Sequence, residues 1–378
     1  MKKPFVFGVA VEDENFVGRS KEISMLVNNF KYGANTILLA PRRMGKTSLV
    51  KRVAKDVQSE RIKVVHLDIF SCRNEYDFLN MFASAILKQT SSHLEEWMQN
   101  ARDFLSRIVP KVNISPDPTQ DYSISLGISP KTHQPEEILN LPELIAQRKG
   151  LHIIVCIDEF QQVGEFPDSL YVQKRMRSVW QHQGNVSYCL YGSRKNMMTT
   201  LFQQRSKPFY KFGVTMELGT IPAEDWTPYL CRQFSSEGRT LPVSLAARIC
   251  DMVELHSSYV QQLAFNVLIC TPPGGHATED ALTQAYENLL DENTSLFQEK
   301  TESLTSYQLN FMRAIISGVH EDFGKADVRE EYNLGSHSNI VRIKTALIEK
   351  ELIETRSDGL FIADPVMKHW LRSRLRLV

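Results

Sequence analysis

The sequence predicts an α/β fold built on a parallel sheet, followed by an all-helical segment and a C-terminal helical module closed by a small hairpin. Three observations carry that expectation. Between Thr36 and Leu218, short apolar runs alternate with stretches of helical spacing, the rhythm of parallel strands covered by helices. Beyond Ile221-Pro222 only helical spacing continues. From Leu304 onward, three helical stretches precede two short strand-like runs on either side of Ser357-Asp358-Gly359.

The 378 residues suffice for two or three domains, each with its own core. Lys plus Arg and Asp plus Glu both number 44, so no global charge points to nucleic acid or an anionic membrane. Cys72, Cys156, Cys189, Cys231, Cys250 and Cys270 are scattered, without a CxxC pair or a histidine at metal-ligand spacing, and read as reduced core thiols. The opening MKKPFVFGVAVEDENF has a basic start, but its apolar run is short and acidic residues follow at once, so no signal peptide is expected. No segment approaches the ~18 apolar residues of a membrane helix. The expectation is a soluble, cytoplasmic protein without a membrane partner.

Taken in order, Ile23, Leu26, Val27 and Phe30 recur at helical spacing after Phe16-Val17-Gly18-Arg19-Ser20, where Ser20 can cap a turn. Thr36 to Ala40 reads as a buried strand. It runs into Ala40-Pro41-Arg42-Arg43-Met44-Gly45-Lys46-Thr47-Ser48, which matches the spacing of a phosphate-binding P-loop at its last three fixed positions, with Ala40 where the first Gly usually stands. Backbone N–H groups of such a loop and of the following helix wrap a phosphate, and Gly45 lets the backbone approach closely. Lys46 can reach the β and γ phosphates of ATP, and the Thr47 hydroxyl can ligate Mg²⁺. The predicted fold class is therefore an α/β P-loop NTPase with a parallel sheet.

Arg61 to Phe70 reads as a second strand and Glu75 to Leu87 as an amphipathic helix. Val109 to Pro135 breaks the rhythm with five prolines and an alternating piece at Tyr122, Ile124, Leu126 and Ile128, and reads as an inserted hairpin or mobile flap spanning 110–136. Leu151 to Val163 then places Asp158 and Glu159 at the C-terminal edge of a parallel strand, where ligands bind in open α/β sheets. Asp158 would hold Mg²⁺, largely through water, and Glu159 would polarise an attacking water. An apolar run ending in Asp-Glu can also be a capped strand end.

Val172, Met176, Val179 and Trp180 mark a helix, and Val186 to Tyr191 another strand ending in Gly192-Ser193-Arg194. In P-loop ATPases the strand after the paired carboxylates carries a polar side chain that senses the γ-phosphate, and Ser193 or Arg194 stands at that place; a plain strand-end turn would use the same residues. Arg205 can serve as an arginine finger toward a neighbouring copy, act in cis or lie in a solvated loop. Phe212 to Leu218 is the fifth strand. Helices follow at Ala223–Phe234, Ser244–Leu255, Ser258–Cys270 and Thr278–Phe297, with a turn at Pro272-Pro273-Gly274-Gly275. His256 can be a helix cap, and it stands where related ATPases carry the histidine of a lid sensor.

The final module has the composition of a winged helix: Ser306–Ile316, Lys325–Tyr332 and Ser338–Lys350 as helices, then Leu352–Thr355 and Leu360–Ile362 as the hairpin. Such a module can read DNA or bind protein. Within 301–378 there are 11 basic and 11 acidic residues, a balance that argues against strong nonspecific DNA affinity, although Arg342 and Lys344 share the third helix with Lys350 and Lys368, Arg372, Arg374 and Arg376 cluster near the end.

Together FVGRSKE, LLAPRRMGKTSL, IIVCIDEFQQV, YGSRKNMM and LFIADPVMKHWLRSR resemble the archaeal-type ATPases of the STAND/AAA+ assemblage, relatives of origin-recognition ATPases. The resemblance implies an ATPase domain (1–220), a helical lid (221–303) and a winged helix (304–378), moved relative to one another by nucleotide state. It implies that Gly18 and Arg19 belong to an adenine-contacting box and that ATP and Mg²⁺ are the cofactors. The segment from His256 departs from a G-H-P-x-x-V-Q-x-L lid motif at Leu255 and Ser257. Expected partners are ATP or ADP, a protein not identified by sequence, DNA through the winged helix, and a second copy of the chain.

Overall fold

The structure, a computed structural model, describes residues 3–91, 96, 99, 112–115, 123–126 and 135–374. The chain divides into two compact units, Arg19–Gly219 and Met1–Gly18 with Thr220–Val378.

The first unit is built on five strands: β1 (Thr36–Leu39), β2 (Ile62–Asp68), β5 (His152–Asp158), β6 (Val186–Tyr191) and β7 (Val214–Glu217). Their order is β2-β5-β6-β1-β7, with every pairing parallel. All residues of β1 and β6 are buried, because helices cover both faces of a parallel sheet, which explains the unbroken apolar runs in the sequence. Helices α1 (Ser20–Lys31), α2 (Lys46–Val57), α3 (Glu75–Gln89), α4 (Pro135–Leu139), α5 (Leu141–Lys149), α6 (Ser169–Trp180) and α7 (Lys195–Gln203) surround it. On one face Ile37, Val65, Val155 and Leu190 join Phe78, Phe82, Ile145 and Met176 in one core. Trp180 stacks on Tyr188 with ring centroids 4.1 Å apart.

Within the insert, β3 (Val112–Ser115) and β4 (Ser123–Leu126) pair antiparallel, in register Val112 with Leu126. The remainder of 110–134, including Pro116, Pro118, Tyr122, Ile128 and Pro130, lies outside the described residues.

In the second unit, α8 (Ala223–Ser236), α9 (Val243–Met252), α10 (Ser257–Cys270) and the 24-residue α11 (Glu279–Glu302) form a helical bundle. Residues from the N-terminus pack into it: Phe5 meets Tyr229 and Phe234 edge-on, and the Tyr229 hydroxyl donates to Asn15 Oδ1 at 2.9 Å. The same core continues into α12 (Ser306–Ile316), α13 (Ala326–Glu331), α14 (His337–Glu349), the antiparallel pair β8 (Ile353–Arg356) and β9 (Gly359–Ile362), and α15 (Pro365–Arg374). Trp370 Nε1 donates to Thr294 Oγ1 at 3.0 Å, tying α15 to α11. Arg376 lies outside the described residues. Among the described residues no helix is long and apolar enough to cross a membrane.

Candidate nucleotide-binding site

The strand order decides what meets at the C-terminal edge of the sheet. Because β6 lies between β1 and β5, the turn after β6 stands between the loop that follows β1 and the carboxylates that end β5.

The loop itself is shaped by backbone conformation. Gly45 caps α2 in the left-handed region at φ 86, where glycine is free of Cβ strain, and Arg43 also takes a positive φ of 59. Ala40 is not among the positive-φ residues, so the alanine at that position costs no backbone strain. Arg42 and Arg43 are exposed, Pro41 half-buried, and Met44 and Ser48 buried. Lys46 is buried, and its Nζ donates to the carbonyls of Ala40 at 3.0 Å and Pro41 at 2.7 Å.

Arg19 reaches the loop from the start of α1. It is 5 % exposed, takes φ 68, and donates through Nη2 to the Met44 carbonyl at 3.1 Å and through Nη1 to Glu22 at 3.1 Å. Burial lowers the pKa of the guanidinium, and Glu22 opposes that shift. Gly18 belongs to the other unit, beside Ile221 and Asp225, and also has a positive φ of 62.

Thr47 Oγ1 donates to Asp158 Oδ2 at 2.7 Å, bringing a hydroxyl and a carboxylate together at the head of α2. Burial pushes Asp158 up to about 6; the Thr47 hydroxyl and the Glu159 N–H oppose the rise, while the charges of Glu159 and Asp68 add to it. Asp68 is the register partner of Asp158 on β2. Glu159 turns the chain at φ 56 into a 3-10 helix, Phe160–Glu165. Phe160 anchors that turn among Phe202, Phe209 and Trp180. Glu159 Oε2 accepts from the Ser193 hydroxyl at 2.9 Å and from Gln161 Nε2.

Arg194, at the N-cap of α7, pairs with Glu165. Arg205 is exposed on the turn after α7. His256 is the N-cap residue of α10 in the second unit, and its ring lies 4.7 Å from that of Tyr259. The preceding Glu254 and Leu255 both take positive φ, 47 and 57, which is the conformation a glycine would adopt without strain at Leu255.

The sheet edge thus brings together Lys46, Thr47, Asp158, Glu159 and Ser193, with Arg19 behind the loop. The donor types suit a phosphate and a hard divalent cation: loop N–H groups and an ammonium for the former, a hydroxyl and a carboxylate for the latter. Sequence reasoning missed Gln161, the approach of Arg19 to Met44 and the pairing of Asp68 with Asp158. Gln161 stands two residues after Glu159, so the signal was in view, but its contact with the carboxylate depends on the left-handed turn between them.

Comparison with known proteins bears on the fold. A family model described as a probable winged helix domain matches residues 295–373. The chain is similar to the Walker-type ATPase PABY2304 of Pyrococcus abyssi, at 15 % identity and a TM-score of 0.71, over 98 % of this chain and 100 % of that one. It is also similar to the ORC2 protein of Aeropyrum pernix: in its ADPNP-ADP complexes at 15 % identity and TM-score 0.54, covering 96 % and 98 % of the two chains, and in its ADP form at 15 % and 0.56, covering 96 % and 97 %. No curated protein matches the sequence. The chain has a P-loop NTPase fold followed by a C-terminal winged helix, and its structural neighbours are archaeal Walker-type and origin-recognition proteins.

Proposed function

We propose that this chain binds ATP with Mg²⁺, hydrolyses it slowly and works as a nucleotide-controlled molecular switch. The observation that carries the reading is the Thr47–Asp158 hydrogen bond beside a phosphate-type loop and its lysine, with the Glu159 carboxylate next to Asp158 at the end of β5. In this reading residues 40–48 hold the phosphates, with Lys46 leaving its loop carbonyls for them. Thr47 and Asp158 hold Mg²⁺, which supplies charge neutralisation to the β and γ phosphates when bound. Glu159 orients a water and takes its proton.

Ser193 is the better γ-phosphate sensor of the two candidates. Its hydroxyl shares Glu159, whereas Arg194 is held by Glu165. Gly18 and Arg19 serve the adenine side, His256 the lid, and Arg205 a neighbouring copy. The domains of the reading are 1–220, 221–303 and 304–378. Purified protein should release phosphate from ATP only with Mg²⁺ present; no release under any condition would leave a nucleotide-binding scaffold.

A second reading is an ATP-regulated DNA-binding protein. It is favoured by the winged-helix match and by α14, whose solvent side exposes His337, Ser338, Arg342, Lys344 and Thr345. DNA affinity measured against salt, with and without ATP, tests it: log K should fall with log salt at a slope of about −0.9 for each phosphate engaged.

A further inference from the structure

We infer that Gln161 is a positioning residue that, together with Ser193, fixes the Glu159 carboxylate so that one of its oxygens stays open to water, an inference that rests on the ATPase reading above. Gln161 is 3 % exposed, at the start of the 3-10 helix that follows β5. Its Nε2 donates to Oε2 of Glu159, the oxygen that also accepts the Ser193 hydroxyl. Three donors, the Gln161 amide and the hydroxyl and backbone N–H of Ser193, therefore converge on Oε2 while none among the described residues reaches Oε1. The carboxylate is thereby held with Oε1 as its available acceptor.

The direction of the amide follows from charge. An amide oxygen turned toward the carboxylate would face like charge, so the NH₂ faces Glu159 and the Gln161 oxygen points away. That oxygen is buried and, among the described residues, has no hydrogen-bond partner. A buried carbonyl left unpaired is unfavourable, so the bond to Glu159 is what keeps the amide in place. Space is made for it on the next strand: a Cβ on Gly192 would collide with Gln161 Oε1 and come within 3.4 Å of Met198 Sδ. Gly192 does not have a positive φ, so room for the amide, not backbone freedom, is what its missing side chain supplies.

The test is a cycle of Q161A, G192A and the double variant, read by kcat, ATP Kd and Tm, with Q161E alongside. Q161A should lower kcat about 10- to 100-fold with ATP Kd within about twofold, since a misplaced catalytic group costs rate and not binding. Q161E, which sets a second carboxylate against Glu159, should lose as much. G192A should reproduce the kcat loss and lower Tm, because its methyl displaces the amide. The double variant should be no slower than Q161A and should regain the Tm of Q161A, because the methyl then fills the space left by the amide.

Unchanged or raised kcat in Q161A, a kcat loss matched by an equal loss of ATP affinity, or additive Tm losses would each overturn the inference. The Tm cycle needs no turnover. A wild type that hydrolyses no ATP but shows the non-additive Tm cycle defeats the ATPase reading and leaves the Gln161 placement standing, whereas additive Tm losses defeat the placement itself.

Discussion

The Thr47 hydroxyl donates to Asp158 Oδ2 across 2.7 Å, joining the first turn of α2 to the end of β5. Asp158 sits there with its pKa pushed up to about 6 from 3.8, chiefly by burial. A raised carboxylate pKa means that the folded protein binds a proton more tightly than the unfolded chain. Ionised Asp158 therefore costs stability, the cost growing as pH rises from about 4 to about 6 and staying constant above. Asp158→Asn removes the charge; its amide oxygen can still accept the Glu159 N–H while its NH₂ donates to the Thr47 hydroxyl, which turns to accept. It should stabilise the ligand-free protein by about 1 to 3 kcal/mol at pH 7 to 8 and by nothing near pH 4. Thermal denaturation across that range checks it, and a gap that does not change with pH would contradict the burial of the charge.

The same proton competes with a cation. Mg²⁺ affinity of the ATP-bound protein should fall as pH drops, because Asp158 must lose its proton to act as a ligand. Calorimetric titration at several pH values measures this.

Lys46→Ala removes the ammonium that bonds the Ala40 and Pro41 carbonyls. Two hydrogen bonds lost at the loop should cost about 1 to 2 kcal/mol of stability, with the circular dichroism spectrum unchanged. ATP affinity should fall about 100-fold or more, the worth of a strong charge-assisted contact to phosphate. Retained micromolar affinity in isothermal titration would remove the phosphate role from this loop.

Nucleotide state should alter the arrangement of the molecule. A coupling of about 1 to 3 kcal/mol from the γ-phosphate would shift the population of the ATP-favoured form roughly 5- to 150-fold relative to ADP. Hydrogen exchange over residues 243–374 and small-angle scattering, with ADP and a nonhydrolysable ATP analogue at saturation, read that shift. Identical profiles would leave a static scaffold in place of a switch.

The elements that were legible in the sequence are those whose signal is local. The strand, loop and helix around Gly45 and Lys46 follow from an apolar run, a glycine and a basic helix start, and the β5 carboxylates from a buried run that stops at Asp158. The helices α4 and α5 were not expected; Pro142 stands in the first turn of α5, where its missing N–H is harmless. Helix α15 was seen only as a basic cluster, although Asp364 caps it through the N–H groups of Val366 and Met367. What could not be read at all is non-local. The packing of Phe5 and Asn15 against Tyr229 and the grip of Arg19 on Met44 depend on chain reversals that periodicity does not encode, while the bond from Gln161 to Glu159, two residues apart, depends on the left-handed conformation of Glu159.

The measurement closest to the central claim compares ATP turnover and ATP retention in the wild-type protein and in Glu159→Gln, with Mg²⁺ present. The amide keeps the shape of the side chain but loses the carboxylate that orients water and takes its proton, an effect worth about 10²- to 10⁴-fold in rate. The wild type should release phosphate slowly, while the variant should bind ATP as tightly, release none above background and carry intact ATP through gel filtration. Equal phosphate release by the two proteins, or no ATP bound by either, would contradict the assignment of this sheet edge as an ATPase site.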